Sequence, residues 1–179
     1  MIRQFKGILR QYDVDAVMSD VVWEQPEDRY DEELGWIKPR PQSAYGDGGE
    51  FEYTGKVMRP RPFALAPILQ DMRLDLCTRF YTNFDFVLCA QYPDGDTYVP
   101  FHHDTMQGPG SMVASVSLGA PRIFRNRCDE TGEISNYITE HGDVIVFDYD
   151  SQQTHMHDVP TVVDDRLRIN LTFRTIGHK

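Results

Sequence analysis

The second half of the chain is a succession of short apolar or alternating runs, FDFVLCAQY, MVASVSL, PRIFRN, DVIVFDY and RINLTF, separated by the turn-forming stretches PDGD, GPG, ETGE and HGD. Apolar residues at every second position suit a pleated strand, and the glycines, prolines and aspartates between the runs reverse the chain. Many short strands of this kind bury their apolar faces by packing sheet on sheet, which predicts a β-sandwich or jelly roll. Ahead of them, residues 13–62 hold KPRPQ, GDGGE and RPRP and read as loops with short strands such as residues 50–54. Pro67 suits a first helical turn, and Ile68, Leu69, Met72 and Leu76 recur on one helical face. The opening MIRQFKGILRQYD has amphipathic spacing and is expected to form a short helix.

A chain of 179 residues fits one ordinary domain, and 40% hydrophobic with 12% aromatic content is too apolar for a disordered one. No apolar run approaches the roughly 20 residues of a membrane span. The expectation is a soluble, cytoplasmic, monomeric protein with no membrane partner. Cys77, Cys89 and Cys128 are widely spaced, with no CxxC pair, and are expected to be reduced thiols. A net charge of −10 repels polyanions on average, so nucleic acid requires a local basic cluster.

HHDT, at residues 102–105, is the first stretch that suggests chemistry. Side chains two apart on a strand share a face, so His102 and Asp104 can address one ion while His103 points away. Two such ligands belong to the 2-His-1-carboxylate facial triad of non-haem Fe(II), which keeps open positions for a cosubstrate and oxygen. The bland alternative is a surface or hydrogen-bonded histidine. A second histidine must come from downstream. His141 lies in a turn, EHGD, and His178 in the terminal tail, so both are poor choices. His155 and His157 share a strand face, and period does not separate them.

RINLTFR divides into an apolar face, Ile169, Leu171 and Phe173, and a polar face, Arg168, Asn170, Thr172 and Arg174. The polar face either meets water or clamps carboxylates, which arginine binds bidentately. Six residues of extended strand separate the arginines by roughly 20 Å. That exceeds the length of a five-carbon diacid.

With its HxD, a later His-x-hydrophobic-Pro and RxNxxxR, the chain resembles the AlkB family of Fe(II)- and 2-oxoglutarate-dependent dioxygenases, from about residue 36 onward. The resemblance implies an α+β, predominantly β fold: a double-stranded β-helix (jelly-roll) core with supporting N-terminal helices and a nucleotide-recognition lid. It implies a single domain over residues 1–179, with the lid at about 36–62 and the catalytic core at about 80–176. His102, Asp104 and His157 become the iron ligands, HDVP at 157–160 favouring His157 over His155. Tyr92, Arg168, Asn170 and Arg174 become the 2-oxoglutarate contacts. Arg168 takes the distal carboxylate and Arg174 lies by the carboxylate that chelates iron, so the arginines need not grip the same end.

By the same resemblance, PQSAYGDGGEFEYTG is the lid, and Tyr45, Phe51 and Tyr53 surround the target base together with Thr105 and Met106. Lys38, Arg40, Arg59 and Arg61, with Arg122, Arg125 and Arg127, would supply a phosphate-contacting rim. The implied reaction is oxidative demethylation of N-alkylated bases in DNA or RNA, releasing formaldehyde, succinate and CO2, with single-stranded substrate favoured because unstacking then costs less. Two departures bear on it. Ala90-Gln91-Tyr92 stands where the family commonly has Asn-Arg-Tyr, and Thr105-Met106 stands where repair members carry acidic residues. They motivate the alternative of a protein or small-molecule substrate.

Overall fold

The structure, a computed structural model, describes the backbone of residues 2–32, 35–37, 39–53 and 56–176, and the side chains of all of these except 29, 31, 35–37, 51–53 and 56. Strand β1 (Ile2–Phe5) and helix α1 (Val14–Asp20) lead into β2 (Arg29–Asp31), β3 (Gly35–Ile37), β4 (Gln42–Gly46), β5 (Phe51–Tyr53) and β6 (Lys56–Met58). Helix α2 (Pro67–Phe80) is followed by β7 (Phe86–Tyr92), β8 (Val99–His102), β9 (Met112–Gly119), β10 (Arg122–Cys128), β11 (Ile134–Thr139) and β12 (Asp143–Asp148). A short α3 (Tyr149–Gln152), β13 (His155–Val159) and β14 (Arg168–Arg174) complete the order.

The strands form the two sheets of a jelly roll. The major sheet runs β1-β12-β9-β14-β7-β4 and the minor sheet β11-β10-β13-β8, while β2-β3 and β5-β6 are separate hairpin pairs. Strand β14 is interior, pairing Arg168 with both Tyr92 and Gly119, and Asn170 with Ala90 and Ser117. The two larger core clusters among the described residues follow from this layering. One face of β14, with Ile169, Leu171 and Phe173, packs on Leu69, Met72 and Leu76 of α2. Full burial of each such side chain is worth about 1.5–3 kcal/mol. The other core lies between the sheets and contains Ala90, Tyr92, Phe124, Phe147 and Val159.

The helical periodicity of 67–80 is realised, with Pro67 in the first turn and Leu69, Met72 and Leu76 fully buried. The expected opening helix is not. Residues 2–5 pair antiparallel with β12, placing Ile2 opposite Phe147 and Phe5 opposite Val144. A sheet edge offers a row of backbone partners that local helical spacing does not reveal, and Gly7, at φ +59°, ends the strand in a conformation that favours glycine. Helix α1 begins instead at Val14, capped by Asp13, whose carboxylate accepts from the backbone of Asp15 and Ala16. Among the described residues no helix is long and apolar enough to cross a membrane.

Candidate active site

The ligand candidates meet where β8 and β13 pair. His157 is the direct register partner of His102, and their rings lie 4.3 Å apart. Strand β8 ends at His102, and Asp104 follows in the next loop, where its backbone N–H donates to Gln152 Oε1 at 2.9 Å. Ligand atoms of His102, Asp104 and His157 all lie within 4.8 Å of one another, with each imidazole Nε2 3.7 Å from the Asp104 carboxylate. The other histidines go elsewhere. His103 faces outward and pairs with Asp129 at 2.8 Å; His155 meets the Thr154 hydroxyl; His141 Nδ1 accepts from the Gly119 backbone. His178 lies outside the described residues.

The protonation states suit a cation. Burial pushes His157 down to about 3, against a smaller upward pull from Asp104, so its imidazole is neutral. Burial also opposes ionisation of Asp104, but Arg174, with His102 and His157, outweighs it and holds the carboxyl well below the usual range. Arg174 Nη2 is 2.8 Å from Asp104 Oδ1, both side chains being buried. His102 Nδ1 is 2.8 Å from the Pro100 carbonyl, which fixes that nitrogen as the donor and leaves Nε2 as the ligating lone pair.

Beside this triad, the polar face of β14 lines a cleft between the two sheets. Arg40, Arg168 and Arg174 line it against one carboxylate, Asp104, so its walls favour a dianion. Arg168 is buried, with its guanidinium 4.6 Å from the Tyr92 ring centroid and Nη2 donating to Ser117 Oγ at 2.9 Å. Its Nε and Nη1 are buried without a hydrogen-bond partner, two donors that an acceptor in the cleft can satisfy. Burial pulls Arg168 down to about 10, partly offset by Tyr92, which still leaves it charged at neutral pH. Asn170 is committed to the scaffold: Nδ2 donates to Ser115 Oγ at 2.9 Å and to the Val116 carbonyl at 2.8 Å, while Oδ1 accepts from Thr172.

The expected base cradle and basic rim need correction. Tyr45 is fully buried in the α2-side core, where its hydroxyl accepts from the Val22 backbone at 2.9 Å, so it is not a base-stacking residue. Phe51 and Tyr53 lie on β5, but their side chains fall outside those described. Thr105 is exposed, and Met106 is half-buried against the inter-sheet core. Lys38 lies outside the described residues. Arg40 turns into the cleft, stacking 4.8 Å from the Tyr92 centroid and donating to its hydroxyl. Arg122 is buried, donating to the carbonyls of Asp94, Thr97 and Pro160. Its place in the alternation of β10 sends it inward. Arg59 pairs with Glu50 and Arg61 with Glu24, each at 2.6 Å, and Arg125 grips Asp158 through both carboxylate oxygens. Arg127 stacks 4.4 Å from the Phe101 centroid.

Sequence reasoning missed one residue of the site and gave another a different role. Gln152, in the short α3, holds a ligand's backbone from 48 residues away, and Arg40, expected on the rim, lines the cleft.

A jelly roll bearing two histidines and a carboxylate beside a cationic cleft presents a non-haem metal site. A family model for the 2OG-Fe(II) oxygenase superfamily matches residues 7–174. The chain belongs to that superfamily. Over 152 residues it is 34% identical to the DNA oxidative demethylase ALKBH2 of Mus musculus, covering 77% of this chain and 62% of the relative. Against the Homo sapiens ALKBH2 the identity is 31%, covering 77% and 57%. The chain thus matches only about three fifths of the length of these relatives. The solved structure of OsALKBH1 covers 97% of each chain at a TM-score of 0.57 and 16% identity, a likeness of fold alone. The superfamily implies Fe(II) and 2-oxoglutarate, and the residues present fit both: a neutral imidazole and an ionised carboxylate for iron, unsatisfied buried donors of Arg168 for a carboxylate.

Proposed function

We propose that this chain is an Fe(II)- and 2-oxoglutarate-dependent dioxygenase that removes N-alkyl groups oxidatively from bases of DNA or RNA, releasing formaldehyde, succinate and CO2. The observation that carries the reading is the triad of His102, Asp104 and His157 beside a cleft whose walls hold three guanidiniums. Similarity to proteins named DNA oxidative demethylase supports a nucleic-acid substrate. Iron and 2-oxoglutarate together supply the oxidation of an unactivated C–H bond.

The chain's own residues bind and orient. His102, Asp104 and His157 hold the metal, and Arg174 keeps Asp104 ionised. Arg168 takes the distal carboxylate of 2-oxoglutarate through its unsatisfied Nε and Nη1. The Tyr92 hydroxyl, already accepting from Arg40, has its own proton left to donate to that carboxylate. Asn170 fixes the floor of the cleft through Ser115 and Val116. Thr105 and Met106 directly follow Asp104 in sequence and would contact the base with Phe51 and Tyr53, Met106 through its polarisable sulfur. Single strands suit such a site because a base already unpaired costs less to extrude.

A second reading, oxidation of a protein or small molecule, draws on the −10 charge and on the ion pairing of Arg59, Arg61 and Arg125. Incubation with a panel of N-methylated oligonucleotides, Fe(II) and 2-oxoglutarate decides between them. Formaldehyde release matched by loss of the methyl group supports the first reading. Turnover of 2-oxoglutarate only with a non-nucleic substrate, and on no methylated base, overturns it.

A further inference from the structure

Two of the three ligands have their remaining polar groups satisfied. His102 directs Nδ1 at the Pro100 carbonyl; Asp104 has Arg174 on its carboxylate and Gln152 on its backbone N–H. His157 differs, because its Nδ1 is buried and has no hydrogen-bond partner. Phe124 stacks on the ring at 5.1 Å and 15°, and Phe147 lies 5.1 Å away; both hold its plane, and neither offers an acceptor.

Directly across the β10-β13 pairing stands Asn126. Its Oδ1 is also buried and without a partner. Among the buried unpartnered side-chain atoms of the described residues, it is the sole oxygen; all the others are nitrogens. Register partners project from the same face with Cβ atoms about 4.5–5.5 Å apart. A neutral imidazole that gives Nε2 to a metal carries its proton on Nδ1, which then needs an acceptor. An orphaned donor thus lies across the strand pairing from the sole orphaned acceptor among the described residues.

We propose that Asn126 is the positioning residue for His157. Its Oδ1 accepts the Nδ1 proton, through a small side-chain rotation or one bridging water, and so fixes the tautomer that ligates metal. The proposal rests on His157 being a metal ligand. Gln152 is engaged elsewhere: its oxygen accepts from the Asp104 backbone, and its unpartnered atom is the donor Nε2.

The test is calorimetric titration of the full chain with Co(II) alone. Asn126→Leu keeps the branched shape and removes the acceptor, whereas Asn126→Asp keeps an acceptor. Loss of such an outer hydrogen bond typically weakens metal binding about 10–100-fold, the effect expected for Asn126→Leu, while Asn126→Asp binds at least as tightly as wild type. In Zn(II)-loaded protein labelled with ¹⁵N-histidine, the His157 Nδ1–H proton should be protected from exchange and should shift in Asn126→Asp. Equal Co(II) affinity in wild type and a folded Asn126→Leu overturns the proposal. So does a His157 Nδ1–H signal indifferent to Asn126→Asp, a readout that stands even where the leucine variant fails to fold. Failure of wild type itself to bind Co(II) would refute the metal site instead.

Discussion

Replacing Arg174 with methionine keeps a long side chain and removes the cation 2.8 Å from Asp104. Asp104 is 6% exposed, so the variant leaves a carboxylate out of water without the cation beside it. Breaking a buried pair by deleting one partner costs about 3–5 kcal/mol, or about 6–20 °C in Tm for a domain of this size. The loss should appear in urea melts of chelator-treated protein. Two conditions should then reverse it. Saturating Co(II) supplies the missing positive charge and should shrink the deficit to about 1 kcal/mol, the ordinary cost of a point substitution. Acid should also shrink it, because without Arg174 burial drives the Asp104 carboxyl upward and the group protonates instead. A deficit of the same size with chelator and with Co(II) would refute the reasoning, since Arg174 would then be a packing residue rather than the counter-charge of a ligand.

Arg168→Met removes a charge-assisted contact worth about 1.5–3 kcal/mol, so titration of the Co(II) form with 2-oxoglutarate should show affinity weaker by about 10–150-fold, with Co(II) binding unchanged. Tyr45→Phe removes only the hydrogen bond from Val22, and calorimetric melting should register about 1 kcal/mol. The metal-free protein should lose stability as pH falls. His157 sits at about 3 in the fold against 6.5 when unperturbed, so between these values the unfolded chain binds a proton that the folded chain refuses. The slope from this group approaches about 1.4 kcal/mol per pH unit, and His157→Gln should flatten the pH dependence of urea melts between pH 6 and 4 by about that much.

The alternation of RINLTFR told correctly which side chains share a face, because period 2 is a property of the backbone. It could not tell whether the polar face met water. That depends on the minor sheet closing over it, which turns Arg168 and Arg174 from solvated charges into buried ones. Strand period likewise left His155 and His157 equivalent; the family resemblance of HDVP favoured His157, and the β13-β8 pairing, which sets His157 opposite His102, gives the physical reason. Tyr45 failed for the complementary reason. An aromatic in a glycine-rich segment looks available, yet its strand adds to the edge of the major sheet and carries the ring into the core.

The same distinction explains why the basic rim was the weakest of the expectations. A count of arginines in a segment carries no information about which acidic residues the fold sets against them. Arg125 meets Asp158 because β10 and β13 pair in one register, and Arg61 meets Glu24 across 37 residues of chain. Arg122 spends its donors on three carbonyls that hold the 94–97 loop and Pro160 together, beside a site that its own charge never reaches as a free cation. Metal-binding and cosubstrate chemistry, by contrast, requires particular residue types at fixed strand spacing, and spacing of that kind is written in the sequence. Attraction of a polyanion to this acidic chain would therefore have to come from local geometry around the cleft, which makes turnover on oligonucleotides, and its salt dependence, more informative than any tally of charge.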